Sequence, residues 1–300
     1  MNNVNGCVRY CTRGGIEIEK TSKQLTYVDA IEPIIDALDE HPGVLLASSY
    51  EYPGRYTRWD IGFIDPPLRI TSRSRSFTIT ALNDRGKALL GVIAAKLVAL
   101  EAVSNVERHE DEIRGDVRSA QEHFPEDQRS KQFSIFSVLR GVTDLFFSSS
   151  EKHLGLYGAF GYDLAFQFEP IQFKQVRPAD SRDLVVYLPD ELIVVDHRRQ
   201  TAMRYTYEFK AGSASTVNLP RTSPTVRYKG ATEVARYRDH EFGAFSNLVG
   251  VAQEWFKRGD LFEVVPSQLF YEPCPMPPST IFRRLRERNP APYGTLMNLG

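Results

Sequence analysis

Apolar residues at Phe242, Phe245, Val249, Ala252 and Phe256 recur every three or four positions, a spacing that stripes one face of a helix over 242–258. Lys257 and Arg258 suit the negative end of that helix, and Gly259 can take a left-handed cap. Leu261, Val264 and Val265 then predict a strand with a buried face, so this stretch reads as helix, sharp turn and core strand. Periodicity alone makes it an ordinary corner.

The same reading runs along the rest of the chain. Period-two alternation over 16–26 predicts a strand, 28–38 a short amphipathic helix ended by His41-Pro42-Gly43, and 44–48 a short apolar strand. Residues 48–60 form an aromatic and basic loop turning at Pro53-Gly54, either a ligand-holding loop or an exposed connection packed on the sheet. Strands are predicted over 59–64 and 68–82, and helices over 86–103 and 133–147. Charge is dense over 104–131, around Pro125, which predicts a solvated connection. In 154–170, Gly155, Gly158 and Gly161 interleave with aromatics in an order that fits no phosphate loop, and a strand pressed against another backbone is the preferred reading.

Two β-branched runs over 183–196 precede an alternating segment at 201–209, and the polar residues 197–200 between them predict a hairpin. Residues 211–228 read as a bridging loop. The helix 279–288 takes Ser279 or Thr280 as its N-cap and carries Arg283, Arg284, Arg286 and Arg288 on a solvated face; 294–300 begin a strand. The fold class expected is α+β, with largely antiparallel sheets packed face to face and the helices 86–103, 133–147 and 242–258 outside them. Residues 1–225 form a first region and 226–300 the start of a second.

Composition narrows the function classes. With 42% hydrophobic residues, 25% charged residues and a net charge of -1, the chain is of ordinary globular type, and nothing in its charge points to nucleic acid or an anionic membrane. The apolar run at 88–100 is too short to span a bilayer, and the N-terminus lacks the apolar segment of a secretory signal, so a cytoplasmic location is expected. Cys7, Cys11 and Cys274 cannot all pair, and no second pair of ligands at metal spacing accompanies Cys7 and Cys11.

Residue order says more than periodicity. The run Gly259-Asp260-Leu261-Phe262-Glu263-Val264-Val265-Pro266-Ser267-Gln268 resembles the signature strand of the chorismate-utilising enzymes, most of all anthranilate synthase component I. Val44-Leu45-Leu46-Ala47-Ser48 resembles the tryptophan-pocket motif of that family, with Ala47 where the family often has Glu. Leu156 to Asp163 resembles its glycine-aromatic strand, and 190–197 the strand after it. Asn289-Pro290-Ala291-Pro292-Tyr293 resembles its NPSPY segment, and the loop 49–60 the variety fused to its glutamine amidotransferase.

The resemblance implies a lyase that converts chorismate and glutamine-derived ammonia to anthranilate and pyruvate with Mg²⁺, at the first committed step of tryptophan biosynthesis and under feedback inhibition by L-tryptophan. It implies Ser48, Pro292, Tyr293 and Gly294 as lining the tryptophan site, with Arg58 as a further candidate. The Mg²⁺ carboxylates and the acid–base groups are expected beyond Gly300, which leaves no metal ligand and no assigned catalytic residue within the chain. An amidotransferase domain or subunit and oligomeric assembly are implied as well. The alternatives are a tryptophan-binding fragment without catalysis and a related aminodeoxychorismate or isochorismate synthase. Glu263 stands where water-using relatives have lysine, which points to ammonia as nucleophile; Glu263 either lines the active site or is an outward-facing charge.

Overall fold

The structure is a computed structural model, and it describes residues 6–49, 58–119, 125, 128, 131–169, 171, 173, 176–225 and 227–300. In chain order the elements are β1 (Gly6–Cys11), β2 (Glu17–Leu25), α1 (Glu32–Ala37), β3 (Gly43–Ala47), β4 (Trp59–Ile64), β5 (Leu68–Arg73) and β6 (Ser76–Ala81). Then come α2 (Asp84–Val98), β7 (Val103–Arg108), β8 (Glu112–Val117), α3 (Ile135–Phe146), β9 (Tyr157–Phe160), β10 (Leu184–Leu188), β11 (Glu191–Asp196) and β12 (Thr201–Ala211). The last are β13 (Ala214–Ser215), α4 (Ala244–Arg258), α5 (Pro278–Arg288) and β14 (Gly294–Asn298).

The strands build two antiparallel sheets. The larger has eight strands in the order β1-β2-β12-β11-β4-β3-β14, with β13 paired to β12; the smaller has six, β7-β8-β6-β5-β10-β9. This is the expected α+β class. The sheets share one core, where Phe63 of β4 meets Tyr187 of β10 edge-on at 6.1 Å and the Tyr187 hydroxyl donates to the Asn298 carbonyl of β14. Helices α2 and α3 contribute to that same core, and Phe146 of α3 packs on Phe209 of β12.

A second cluster covers the outer face of the larger sheet. There Ile31, Ile34, Ile35 and Leu38 of the α1 segment and Phe282 of α5 pack on Leu45, Ile193 and Val195. Sheet burial on both faces explains two sequence patterns. Val44, Leu192 and Val194 face the inter-sheet core, whereas Leu45, Ile193 and Val195 face α1 and α5, so β3 and β11 read as unbroken apolar runs.

Two buried polar clusters are paired. Arg85, fully buried at the start of α2, contacts Asp190 and Glu208 and donates to the carbonyls of Thr216 and Tyr207. Glu151 holds Lys20 at 2.8 Å, accepts from the Tyr207 hydroxyl, and caps the backbone N–H groups of Lys152 and His153.

Several expectations change. The charged stretch 104–131 contains the β7–β8 hairpin: Ile113 and Val117 point inward while Glu107, Arg108 and Arg114 remain outside, as an edge hairpin requires. Strand β1 had no clear signal. The predicted strand 68–82 is two strands, β5 and β6, turning at Ser74, whose φ is 53°. Helix α5 starts from Pro277 without a side-chain cap of its own; Asp39 instead accepts from the Ser279 N–H. Two of its arginines are not merely solvated, since Arg283 pairs with Glu32 and Asp36 and Arg286 with Glu32, fastening α5 to α1.

The largest departure concerns the C-terminal third. Helix α4 forms and ends at Gly259 in the left-handed conformation (φ 79°) as read, but Ala252 is its only fully buried residue. Leu261 to Val265 form no strand, and Phe262 is 98% exposed, because among the described residues no strand lies beside them; the nearest pairing is a single bridge between Arg238 and Phe270. The chain packs a strand only where a neighbour satisfies its backbone. Residues 294–298 do complete a strand, β14, which pairs with β3.

Candidate functional site

β14 lies antiparallel to β3 with Gly294 opposite Ala47, so the Ala291-Pro292-Tyr293 turn and the Ser48-Ser49 end of β3 meet at one corner of the larger sheet. The Ser48 hydroxyl donates to the Pro292 carbonyl at 2.9 Å, and the Ser49 N–H to the Ala291 carbonyl at 3.0 Å. The Ser49 hydroxyl in turn accepts from the Ala291 N–H at 3.1 Å. Long-range closure thus brings Ser48, Pro292 and Gly294 together. Ser48 is buried, Pro292 half-buried and Tyr293 71% exposed, so the ring of Tyr293 presents a face at the rim.

Beneath this corner is a polar relay. Asp60, at the start of β4 and only 1% exposed, accepts from the Ser48 N–H at 2.7 Å through Oδ1. Its Oδ2 lies 3.0 Å from Nε2 of His197, although that N–H points off the line to the oxygen. His197 Nδ1 is 3.1 Å from the Tyr27 hydroxyl, and the backbone N–H of His197 donates to the Arg58 carbonyl. Contact with the Asp60 carboxylate raises the His197 pKa above that of a free imidazole, against the effect of burial.

Arg58, the further candidate, is engaged by its neighbours on the same sheet. Its guanidinium forks onto Asp196, with Nη2 at 2.7 Å, and lies 4.4 Å over the Trp59 ring. The Arg58 hydrogen bond holds Asp196 below the ordinary carboxylate range. Arg58 also lines a cleft of about 900 Å³ with Trp59, His153 and Tyr205, and the described contacts of its guanidinium are with Asp196 and Trp59. The turn at Pro53-Gly54 lies outside the described residues.

Glu263 sits exposed on the irregular segment after α4. Among the described residues no group of three His, Cys, Asp or Glu side chains is placed to hold a metal ion. No described helix is long and apolar enough to cross a membrane. The glycine-aromatic strand behaves as read, since a Cβ at Gly158 would collide with the Val185 carbonyl of the neighbouring strand. Sequence reasoning missed Asp60 and His197. The one signal was a carboxylate opening an apolar strand, Trp59-Asp60-Ile61, which burial forces to find partners.

Comparison with known proteins bears on what this corner serves. Residues 93–300 match the family described as chorismate binding enzyme. The anthranilate synthase of Azospirillum brasilense is 45% identical over 293 residues, which cover 98% of this chain and 40% of that protein. Anthranilate synthase component 1 of Vibrio cholerae is 29% identical over 83% of this chain and 49% of its own length, and that of Haemophilus influenzae 28% identical over 94% and 56%. The chain therefore spans about half the length of the curated relatives it matches. On a match that extends over more than two thirds of its residues, the chain belongs to the chorismate-binding enzyme family.

Proposed function

We propose that this chain is the N-terminal part of an anthranilate synthase, which converts chorismate and ammonia to anthranilate and pyruvate, and that the corner formed by Ser48, Pro292, Tyr293 and Gly294 receives L-tryptophan as an inhibitor. The observation that carries the reading is the 45% identity to an anthranilate synthase along 98% of the chain. For the tryptophan site, support comes from the Ser48–Pro292 hydrogen bond, which joins the two segments that resemble the family's pocket. A serine hydroxyl can bond an amino-acid head, and a tyrosine ring and proline give an indole rigid apolar walls.

In the whole enzyme, glutamine supplies ammonia through an amidotransferase domain or subunit, and Mg²⁺ is held by groups outside the described residues. The chain's own contribution is to build the sheet that carries the inhibitor corner and to lead, through α4, into the Gly259 to Gln268 signature. The test is to incubate the native enzyme with chorismate, ammonium chloride and Mg²⁺ and follow anthranilate fluorescence. Formation of anthranilate that L-tryptophan suppresses supports the reading. A product that is isochorismate or aminodeoxychorismate, with no anthranilate, overturns it.

A further inference from the structure

Asp60 and His197 belong to no motif read from the sequence as part of the inhibitor corner, yet they contact it from below. Ser48 is held from two directions: its hydroxyl by Pro292, and its N–H by Asp60 Oδ1 at 2.7 Å. The other oxygen of the same carboxylate faces His197 at 3.0 Å. With Asp60 only 1% exposed, its charge has few partners besides these two, and whichever state His197 adopts is felt by the Ser48 peptide.

We propose that His197 and Asp60 are positioning residues of the Ser48 corner, a proton-sensitive latch that fixes the Ser48 backbone and thereby sets the affinity for the amino-acid head of L-tryptophan. This rests on the tryptophan reading above. The chemistry is as follows. As an imidazolium, His197 presents an N–H to Asp60 through Nε2 and donates through Nδ1 to the Tyr27 oxygen, and it cancels the buried negative charge. As neutral imidazole it keeps the Tyr27 contact with Nδ1 as acceptor and its one remaining N–H on Nε2, toward Asp60, but it no longer cancels that charge. Asp60 is then a buried carboxylate without a cation beside it, held by the neutral His197 ring and the Ser48 N–H alone, and its hold on the Ser48 peptide changes with that loss of charge.

The other charges facing His197 set where this happens. Asp60 on β4 is the main influence and Asp196 at the end of β11 acts in the same direction, whereas Arg286 on α5, itself held by Glu32 of α1, opposes them. The balance is upward, so the charged latch is complete at and below the ordinary histidine value and is lost as pH rises through the raised one.

The experiment is calorimetric titration of L-tryptophan into the native enzyme and into Ser48→Phe, His197→Gln and Asp60→Asn variants, between about pH 6 and about pH 8.5. The wild type is expected to bind about fivefold more weakly at the upper pH, and the His197→Gln and Asp60→Asn proteins to bind with no such pH dependence. Asp60→Asn keeps an acceptor for the Ser48 N–H and separates the charge from the hydrogen bond. A His197→Gln protein with the pH dependence of the wild type overturns the latch while leaving the tryptophan reading intact. Unaltered tryptophan binding in Ser48→Phe overturns the tryptophan reading itself, and the latch with it. Should the variants fail to fold, the unsubstituted protein still decides: the Ser48 amide ¹⁵N resonance titrates with the His197 ring if the latch exists, and an independent midpoint overturns it.

Discussion

Ser48 and Pro292 stand 244 positions apart in the chain, yet the hydroxyl of one donates to the carbonyl of the other at 2.9 Å. The contact exists because β14 returns to pair with β3, and it places a direct bond between the two pocket-like motifs at the point where a ligand head group would compete for it. In the intact enzyme, Ser48→Phe is expected to abolish inhibition by L-tryptophan while sparing turnover, because the ring fills the corner without touching the reacting groups. Inhibition curves and kcat measured side by side check this; equal loss of both argues against a separate inhibitor site.

Glu263 separates lining from catalysis. Exposed on the segment after α4, it makes no described ion pair that would need its charge. Glu263→Gln in the full-length enzyme, assayed with ammonium and chorismate, is expected to form anthranilate at a near-normal rate. A loss of several orders of magnitude would make Glu263 the base.

Arg85 is a stability test. Arg85→Met leaves Asp190, 1% exposed, with only Arg221 at 3.6 Å as a partial cation partner. Breaking a buried pair by removing one member costs about 3–5 kcal/mol, which denaturant unfolding will measure. Replacing both Arg85 and Asp190 with apolar residues is expected to recover part of that loss.

Glu151 governs an acid limb. Burial pushes its pKa up, but Lys20, the His153 N–H and Tyr207 together outweigh burial and hold it below its ordinary value of 4.5. A carboxylate depressed on folding gives stability that is complete above the ordinary value and is lost as pH falls through the lowered one. Thermal melting across the acid range should therefore show a decline that is shallower in Glu151→Gln, whose stability at neutral pH is lower from the start.

The polypeptide 1–300 should self-associate. The outer edge of β14 has no described strand partner, and Leu248, Val251 and Trp255 of α4, together with Phe262 and Phe270, are exposed apolar groups. Light scattering should show mass rising with concentration; a monodisperse, cooperatively melting monomer would contradict this.

Legibility followed the source of each signal. Strands β3, β11 and β12 were readable because burial wrote itself into their side chains as apolar runs or alternation, and α4 because both its stripe and its Gly259 stop are local. The β7–β8 hairpin was hidden, since an edge hairpin keeps its charges outward and Ile113 and Val117 are too few to mark it. The Leu261 to Val265 strand was over-read: apolar character promises a strand only if a neighbour pairs with it. At the site, Ser48 and Pro292 were reached through motif order, while no periodicity could show that Asp60 and His197 meet beneath them. Such pairs come from sheet register, in which β11 aligns Asp196 with Trp59 of β4.

The pairing of β3 with β14 also has a bearing on time. A chain made from its N-terminus exposes Gly43 to Ala47 long before Gly294 to Asn298 exist, and at about 5–20 residues per second that interval lasts roughly 10–50 s. Throughout it one edge of β3 is open and Ser48 lacks its acceptor. The corner is therefore a late product of synthesis, and slowing translation after residue 49 prolongs the one period in which a nascent chain offers that edge to a chaperone or to another nascent chain.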